Sequence, residues 1–292
     1  MESVCANTLS VDIGDGRNIN VRVIGVGKNS LILVHGFGEN SFAWGAISQH
    51  LAPGYTIYAI DLRGHGDSDW DLEGRYDLGK FTSDVVSIIH RLGIAPFAIV
   101  GHSLGADVAL EVTSILPTQV LKLILVEFSL EAISEEVREH SLLQFDAQFR
   151  HYNTLSEYNE LLQLQRPLAD VNALLYYSNN SLRSKAGGGY VMKCDPAVKT
   201  VHTASSKASI SRQTAAISNL RCPLLLIRGS GSAILKPATA HEIVGLCPRA
   251  ELQQVHGAGH AVMLDRPLEF YRVLARFMLS HSEPKSLHKL HS

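Results

Sequence analysis

Phe97-Ala-Ile-Val-Gly-His-Ser-Leu-Gly-Ala106 is the stretch from which the rest of the chain can be read. An apolar run suited to a buried strand, Phe97–Gly101, ends where an amphipathic run, Leu104 to Leu116, begins. Between them Gly101, Ser103 and Gly105 spell G-x-S-x-G. A serine on a sharp strand-to-helix turn holds its hydroxyl clear of the backbone, and so tight a turn admits only small residues on either side. The N–H of Leu104 then lies at a helix N-terminus, aimed at developing negative charge. The bare pattern occurs by chance; its specificity comes from the strand before it and the helix after it.

Outward from this turn, strand candidates recur: Leu31–His35, Tyr55–Asp61, Leu121–Val126, Pro223–Ile227 and Glu251–His256. The first four are short, Val/Ile/Leu-rich and largely unalternated, as strands of a parallel sheet covered on both faces are. Val11 to Ile24 alternates more and contains Asp15-Gly16, which predicts an antiparallel hairpin at the sheet edge. Asp77 to Leu92 and Arg266 to Leu279 carry helical periodicity, so strand and helix alternate. The expected fold class is α/β, a mostly parallel sheet flanked by helices.

The alternation breaks between Val126 and Pro223. A stretch this long does not run as bare loop in a compact domain. Helical signals at Leu130–Arg150 and Leu155–Gln165, with a Gly-rich loop at Gly187–Gly189, predict a helical insertion, a lid, over residues 130–215. It would sit over the C-terminal strand ends, where open α/β sheets bind ligands. The core is then residues 1–129 and 216–281, and the polar tail 282–292 is expected to be disordered.

Composition narrows the function classes. The chain has 292 residues, 46% hydrophobic and 18% charged, with net charge −2. No basic stripe suggests a nucleic-acid partner. No apolar run reaches membrane-spanning length, and the first residues lack a signal-peptide pattern. Cys5, Cys194, Cys222 and Cys247 match no zinc spacing and are too few for a disulfide scaffold. A cytoplasmic protein with reduced thiols is the simplest expectation.

Three further motifs join the serine turn. His35-Gly36-Phe37-Gly38 follows a strand, Asp61-Leu-Arg-Gly-His-Gly-Asp-Ser68 forms a strand-end turn, and Gly257-Ala-Gly-His260 precedes the last helix. Together they resemble the α/β-hydrolase superfamily over nearly the whole chain. The resemblance implies Ser103 as nucleophile, His260 as base, and the backbone N–H groups of Phe37 and Leu104 as the oxyanion hole. It places His35, Gly36 and His102 beside the substrate, His35 mainly orienting its loop. His65 and Asp67 would be structural, as would His256. A lid is also implied where the alternation breaks.

The acid departs from the family pattern. The usual Asp follows the strand after the lid, yet Gly229 to Leu235 holds no carboxylate. Glu127, at the end of the strand after the nucleophile helix, is the expected substitute. A Ser-His dyad assisted by Ser232 or water is the alternative. The reading is a serine hydrolase acting on a small-molecule ester, thioester or related acyl substrate, with no metal or organic cofactor. Serine rather than aspartate at the nucleophile argues against haloalkane dehalogenases and epoxide hydrolases. A non-catalytic, receptor-like ligand-binding member of the fold and a biosynthetic acyl-transfer or lyase enzyme stay open, because fold alone does not give function.

Overall fold

The computed structural model describes residues 6–203 and 207–280. Cys5 and the tail 282–292 lie outside the described residues. In chain order the first half is β1 (Ala6–Asp12), β2 (Asn18–Ile24), β3 (Asn29–Val34), α1 (Gly45–Leu51), β4 (Tyr55–Ile60), α2 (Leu78–Leu92), β5 (Phe97–His102), α3 (Leu104–Ile115) and β6 (Val120–Val126). Then come α4 (Glu135–Asp146), α5 (Leu155–Gln165), α6 (Val171–Asn179), β7 (Leu182–Ser184), β8 (Tyr190–Met192) and α7 (Lys207–Ser218). The chain closes with β9 (Leu224–Gly229), α8 (Pro237–Gly245), β10 (Ala250–Val255), α9 (Val262–Asp265) and α10 (Pro267–Ser280).

Eight strands form one sheet in the order β1-β2-β4-β3-β5-β6-β9-β10. β1 pairs antiparallel with β2, which pairs antiparallel with β4; every other neighbour pair is parallel. The edge hairpin turns around Asp15-Gly16, with Asp12 opposite Asn18. Burial follows position: all residues of β5 and β9 are buried, whereas edge strands β1 and β10 are largely exposed or half-buried. Two helix groups flank the sheet, α1 with α9 and α10, and α2 with α3 and α7. No helix among the described residues is long and apolar enough to cross a membrane.

Helix ends obey their caps. Asp77 accepts from Lys80 N at 2.9 Å to start α2, and Gly93 ends it at φ 63°. Ser134 caps α4, so that helix is shorter than the 130–150 periodicity suggests. Thr154 caps α5 and Asp170 caps α6. α5 stops at Gln165 because Pro167 disfavours helical backbone at Arg166, which lies at φ −128°, ψ 64°.

The insertion between β6 and β9 is helical, with one addition: Gly187–Gly189 turns a small hairpin, β7–β8, whose glycines all have positive φ. Its last helix, α7, packs on the core, with Gln213 Nε2 donating to Asp107 of α3 at 2.6 Å. Polar ties hold the rest to the core: Asn40 Nδ2 donates to Ser181 Oγ at 2.9 Å, Lys193 pairs with Asp67 at 2.8 Å, and Tyr76 donates to Asp195 at 2.6 Å.

Candidate functional site

Parallel register assembles the site. His102 lies opposite Val126, and Val126 opposite Ile227, so β5, β6 and β9 end at one level. Ser103 and Glu127 are the next residues on their strands. Each is pinned by its neighbour: Ser103 N donates to Val126 O, and Glu127 N to Ile227 O, both at 2.9 Å. Among the described residues these two are the only non-glycines with positive φ, 50° for Ser103 and 57° for Glu127. Such backbone strain persists only where the surroundings over-determine it, and it concentrates at functional sites.

Local sterics explain the glycines. A Cβ on Gly101 would stand 2.0 Å from the Gly105 carbonyl oxygen, and one on Gly105 would stand 2.2 Å from Val34 O. α3 therefore starts hard against β3 and β5. Leu104 is its first residue, so its N–H is among those without an intrahelical partner.

Glu127 is buried and fully engaged. Oε1 accepts from Gly229 N at 2.8 Å; Oε2 accepts from the Ser232 hydroxyl and from His260 Nδ1, the latter at 3.0 Å. Ser232 also accepts from Ile234 N and Leu235 N. The residue standing in the carboxylate-free loop thus hydrogen-bonds the carboxylate that comes from the neighbouring strand. With Nδ1–H given to Glu127, His260 keeps Nε2 as an acceptor, and its side chain is about a third exposed.

Ser103 and His260 share the wall of a cavity of about 270 Å³. Phe37, Gly38, Glu39 and His102 contribute from the core, and Gln144, Gln148, Arg166 and Leu168 from the insertion. Phe145 of α4 packs against Phe37, the rings tilted at 36° with centroids 4.6 Å apart, and a Cβ on Gly38 would lie 2.9 Å from the Phe145 ring. The Ser103 hydroxyl has no hydrogen-bond partner among the described residues; in unliganded sites such bonds often tighten only around substrate.

The structure brings Ser103, His260, Glu127, Phe37, Leu104 and His102 together and sets two expected residues back. His35 is fully buried behind the wall, its Nε2 accepting from Leu62 N at 3.0 Å and its Nδ1–H donating to Gly36 O. Burial presses its pKa down to about 4. Gly36 gives its N–H to Glu39, and the wall itself begins at Phe37. His65 braces the same loop, accepting from Gly38 N at 3.2 Å and donating to Arg63 O. Burial and His35 press it down to about 3.

Glu39 and Arg166 went unread in the sequence. Glu39 Oε2 takes Gly36 N at 3.0 Å and faces His102 Nδ1 at 2.9 Å; Oε1 takes Arg166 Nη1 at 3.1 Å. Burial alone would raise the Glu39 carboxyl, but His102, Arg166 and the Gly36 N–H outweigh it and hold it well below the usual range. A signal existed for Glu39, the lone Asp, Glu, Lys or Arg between Leu31 and Trp44. Arg166 gave none, because only the fold brings α5 to this loop. Asp265 also reaches the site, accepting from Gly259 N at 2.7 Å just before His260.

Residues 29–267 match the family model described as alpha/beta hydrolase fold. The chain is similar to the sn-1-specific diacylglycerol lipase of Mus musculus, 23% identical over 77% of this chain and 72% of that one. It is likewise similar to the 2-(acetamidomethylene)succinate hydrolase of Mesorhizobium japonicum, 25% identical over 76% and 78%. Among solved structures, that of an E-2-(acetamidomethylene)succinate hydrolase superposes with a TM-score of 0.82 at 24% identity, covering 94% of this chain and 99% of that one. A likeness at that identity speaks to the fold alone.

Proposed function

This chain belongs to the alpha/beta hydrolase fold family, and we propose that within it the protein is a serine hydrolase cleaving an ester, thioester or related acyl bond through an acyl-enzyme on Ser103. The observation that carries the reading is the Glu127–His260 hydrogen bond of 3.0 Å behind a cavity wall that His260 shares with a strained Ser103. Ser103 Oγ attacks the carbonyl carbon as His260 Nε2 takes its proton. The N–H groups of Phe37 and Leu104 receive the oxyanion. His260 returns the proton to the leaving alcohol or thiol, and the acyl-enzyme forms. Water, deprotonated by the same nitrogen, then releases the acid and restores Ser103. Glu127 holds the His260 tautomer and balances the imidazolium formed in each half-reaction.

The relatives named above are a lipase and a hydrolase, in line with hydrolysis. In this reading residues 130–215 form the lid, and its cavity-facing side chains choose the substrate. The cavity volume lies just under the roughly 300–1,000 Å³ of pockets for drug-sized ligands, which favours a compact acyl group. Its insertion wall mixes amides, Gln144 and Gln148, with apolar Phe145 and Leu168.

The test is a fluorophosphonate probe followed by intact-protein and peptide mass measurement. A single adduct on Ser103, absent in Ser103→Ala, is expected. Turnover of 4-nitrophenyl acetate should fall on the order of 10⁴-fold in the same variant. A wild-type protein that folds yet takes up no probe and turns over no ester would favour the receptor-like alternative.

A further inference from the structure

Three buried histidines surround the loop from His35 to Glu39, and their partners differ in kind. His35 and His65 each face one N–H donor and one carbonyl acceptor. A neutral imidazole, with one N–H and one lone pair, fits both. His102 faces two acceptors: Glu39 Oε2 at Nδ1 and the His260 carbonyl at Nε2, each at 2.9 Å. A neutral ring would set a lone pair against a lone pair at one of these contacts. We propose that His102 is a buried imidazolium at the working pH, a positioning residue that braces the backbone of His260, and that its loss of a proton sets the alkaline limit of activity.

The surroundings support a charged ring. Glu39, on the loop after β3, is its counter-ion, and Glu127, after β6, adds a second negative charge within range. Asp265 of α9 faces it from the His260 side. His35, being neutral, adds no charge; Arg166 at the end of α5 opposes the charged ring by competing for Glu39, and so does His260, whose ring lies 4.8 Å away, whenever it is protonated. Burial disfavours the charge, yet the Glu39 carboxylate outweighs it and the His102 pKa lies above the ordinary histidine value. The His102 bond ends on the backbone carbonyl of His260, so the brace acts on the residue that carries the base. When His102 loses a proton, the carboxylate retains the remaining N–H as the stronger acceptor. Nε2 then repels the His260 carbonyl, and the loop carrying the base loses its anchor.

The inference rests on Ser103 and His260 acting as proposed, so its test has one arm that needs no activity. In ¹⁵N-histidine-labelled full-length protein, long-range ¹H–¹⁵N spectra report the protonation of each ring nitrogen, and His102→Gln assigns the signal. Both His102 nitrogens should carry protons at pH 7. A His102 signal with one bare nitrogen at pH 7 overturns the proposal whether or not the protein cleaves esters. The second arm follows kcat/KM for 4-nitrophenyl acetate against pH. Glu39→Gln removes the counter-ion and should move the alkaline limb down by about one pH unit or more, tenfold in rate on that limb. Arg166→Gln removes a competing cation and should move it up. A residue that merely packs would change the rate at every pH and leave the limb in place; that result, or shifts of the same sign in both variants, also overturns it. Circular dichroism confirms that each variant is folded, and Arg166→Gln with the spectra decides the matter if Glu39→Gln is not.

Discussion

The turn at Ser103 was legible because its geometry is local. The strained turn needs its flanking glycines within four residues, and Gly101 and Gly105 abut backbone oxygens at 2.0 and 2.2 Å. Glu127 was singled out by elimination, since Gly229 to Leu235 offers no carboxylate and one follows directly on β6. Ser232 could not be read as its partner, because the hydroxyl meets Glu127 only through strand order. Glu127→Gln keeps size and one hydrogen bond but removes the charge that, in the proposed mechanism, balances the imidazolium. We expect kcat to fall by up to about 10⁴-fold, with KM changed far less. Ser232→Ala leaves Glu127 bonded to Gly229 N and His260 Nδ1 and should lose roughly tenfold or less, the scale of one hydrogen bond. The reverse ranking of the two variants would reinstate the acid-free dyad. A further comparison is Ser232→Asp in the Glu127→Gln background, where recovered turnover would mean that the scaffold accepts an acid from either strand.

Among elements, the central strands were readable because burial on both faces writes itself as unbroken apolar runs. α1 and α8 were not, being short segments of seven and nine residues whose periodicity barely completes two turns. The insertion was readable as a break in alternation, but its individual contacts with the core were not. Phe145 on Phe37, Arg166 on Glu39 and Asn40 on Ser181 are contacts between segments far apart in sequence. α7 is nearer the core than the 130–215 range implies, since Gln213 bonds Asp107. A replacement of the insertion is therefore best confined to residues 130–203, bridged by a short Gly/Ser linker. The shortened chain should keep strand and helix signals in far-UV circular dichroism while its preference across esters of rising acyl length flattens or inverts. An unchanged preference would take substrate choice away from the insertion.

At the scale of the whole molecule, one end of the sheet buries three histidines and a carboxylate behind a single loop, which couples the fold to pH. His35 and His65 are neutral when folded, with pKa values pressed to about 4 and about 3 by burial. Unfolded, each titrates near 6.5. Below that value the unfolded chain takes up protons that the folded chain refuses, so the stability these residues confer is complete above pH 6.5. It drains as pH falls toward 4 and 3. Glu39, held well below the usual carboxylate range, adds loss of the same sign at the acid end of that window. His102, shifted the other way, contributes fully at low pH and loses its share only as pH rises through its folded pKa. Each of the two neutral histidines can steepen the decline by up to about 1.4 kcal/mol per pH unit. Urea midpoints taken at pH 8, 7, 6, 5 and 4 should therefore rise a little from 8 to 7, as His102 gains its proton, and fall below 6. His65→Asn removes one titrating ring at some loss of packing. It should lower the midpoint at pH 8 yet flatten the slope between pH 6 and 4. A wild-type profile that stays level down to pH 4 would mean that these rings are free to charge in the folded state. A His65→Asn slope equal to the parent's would move the acid sensitivity to other groups.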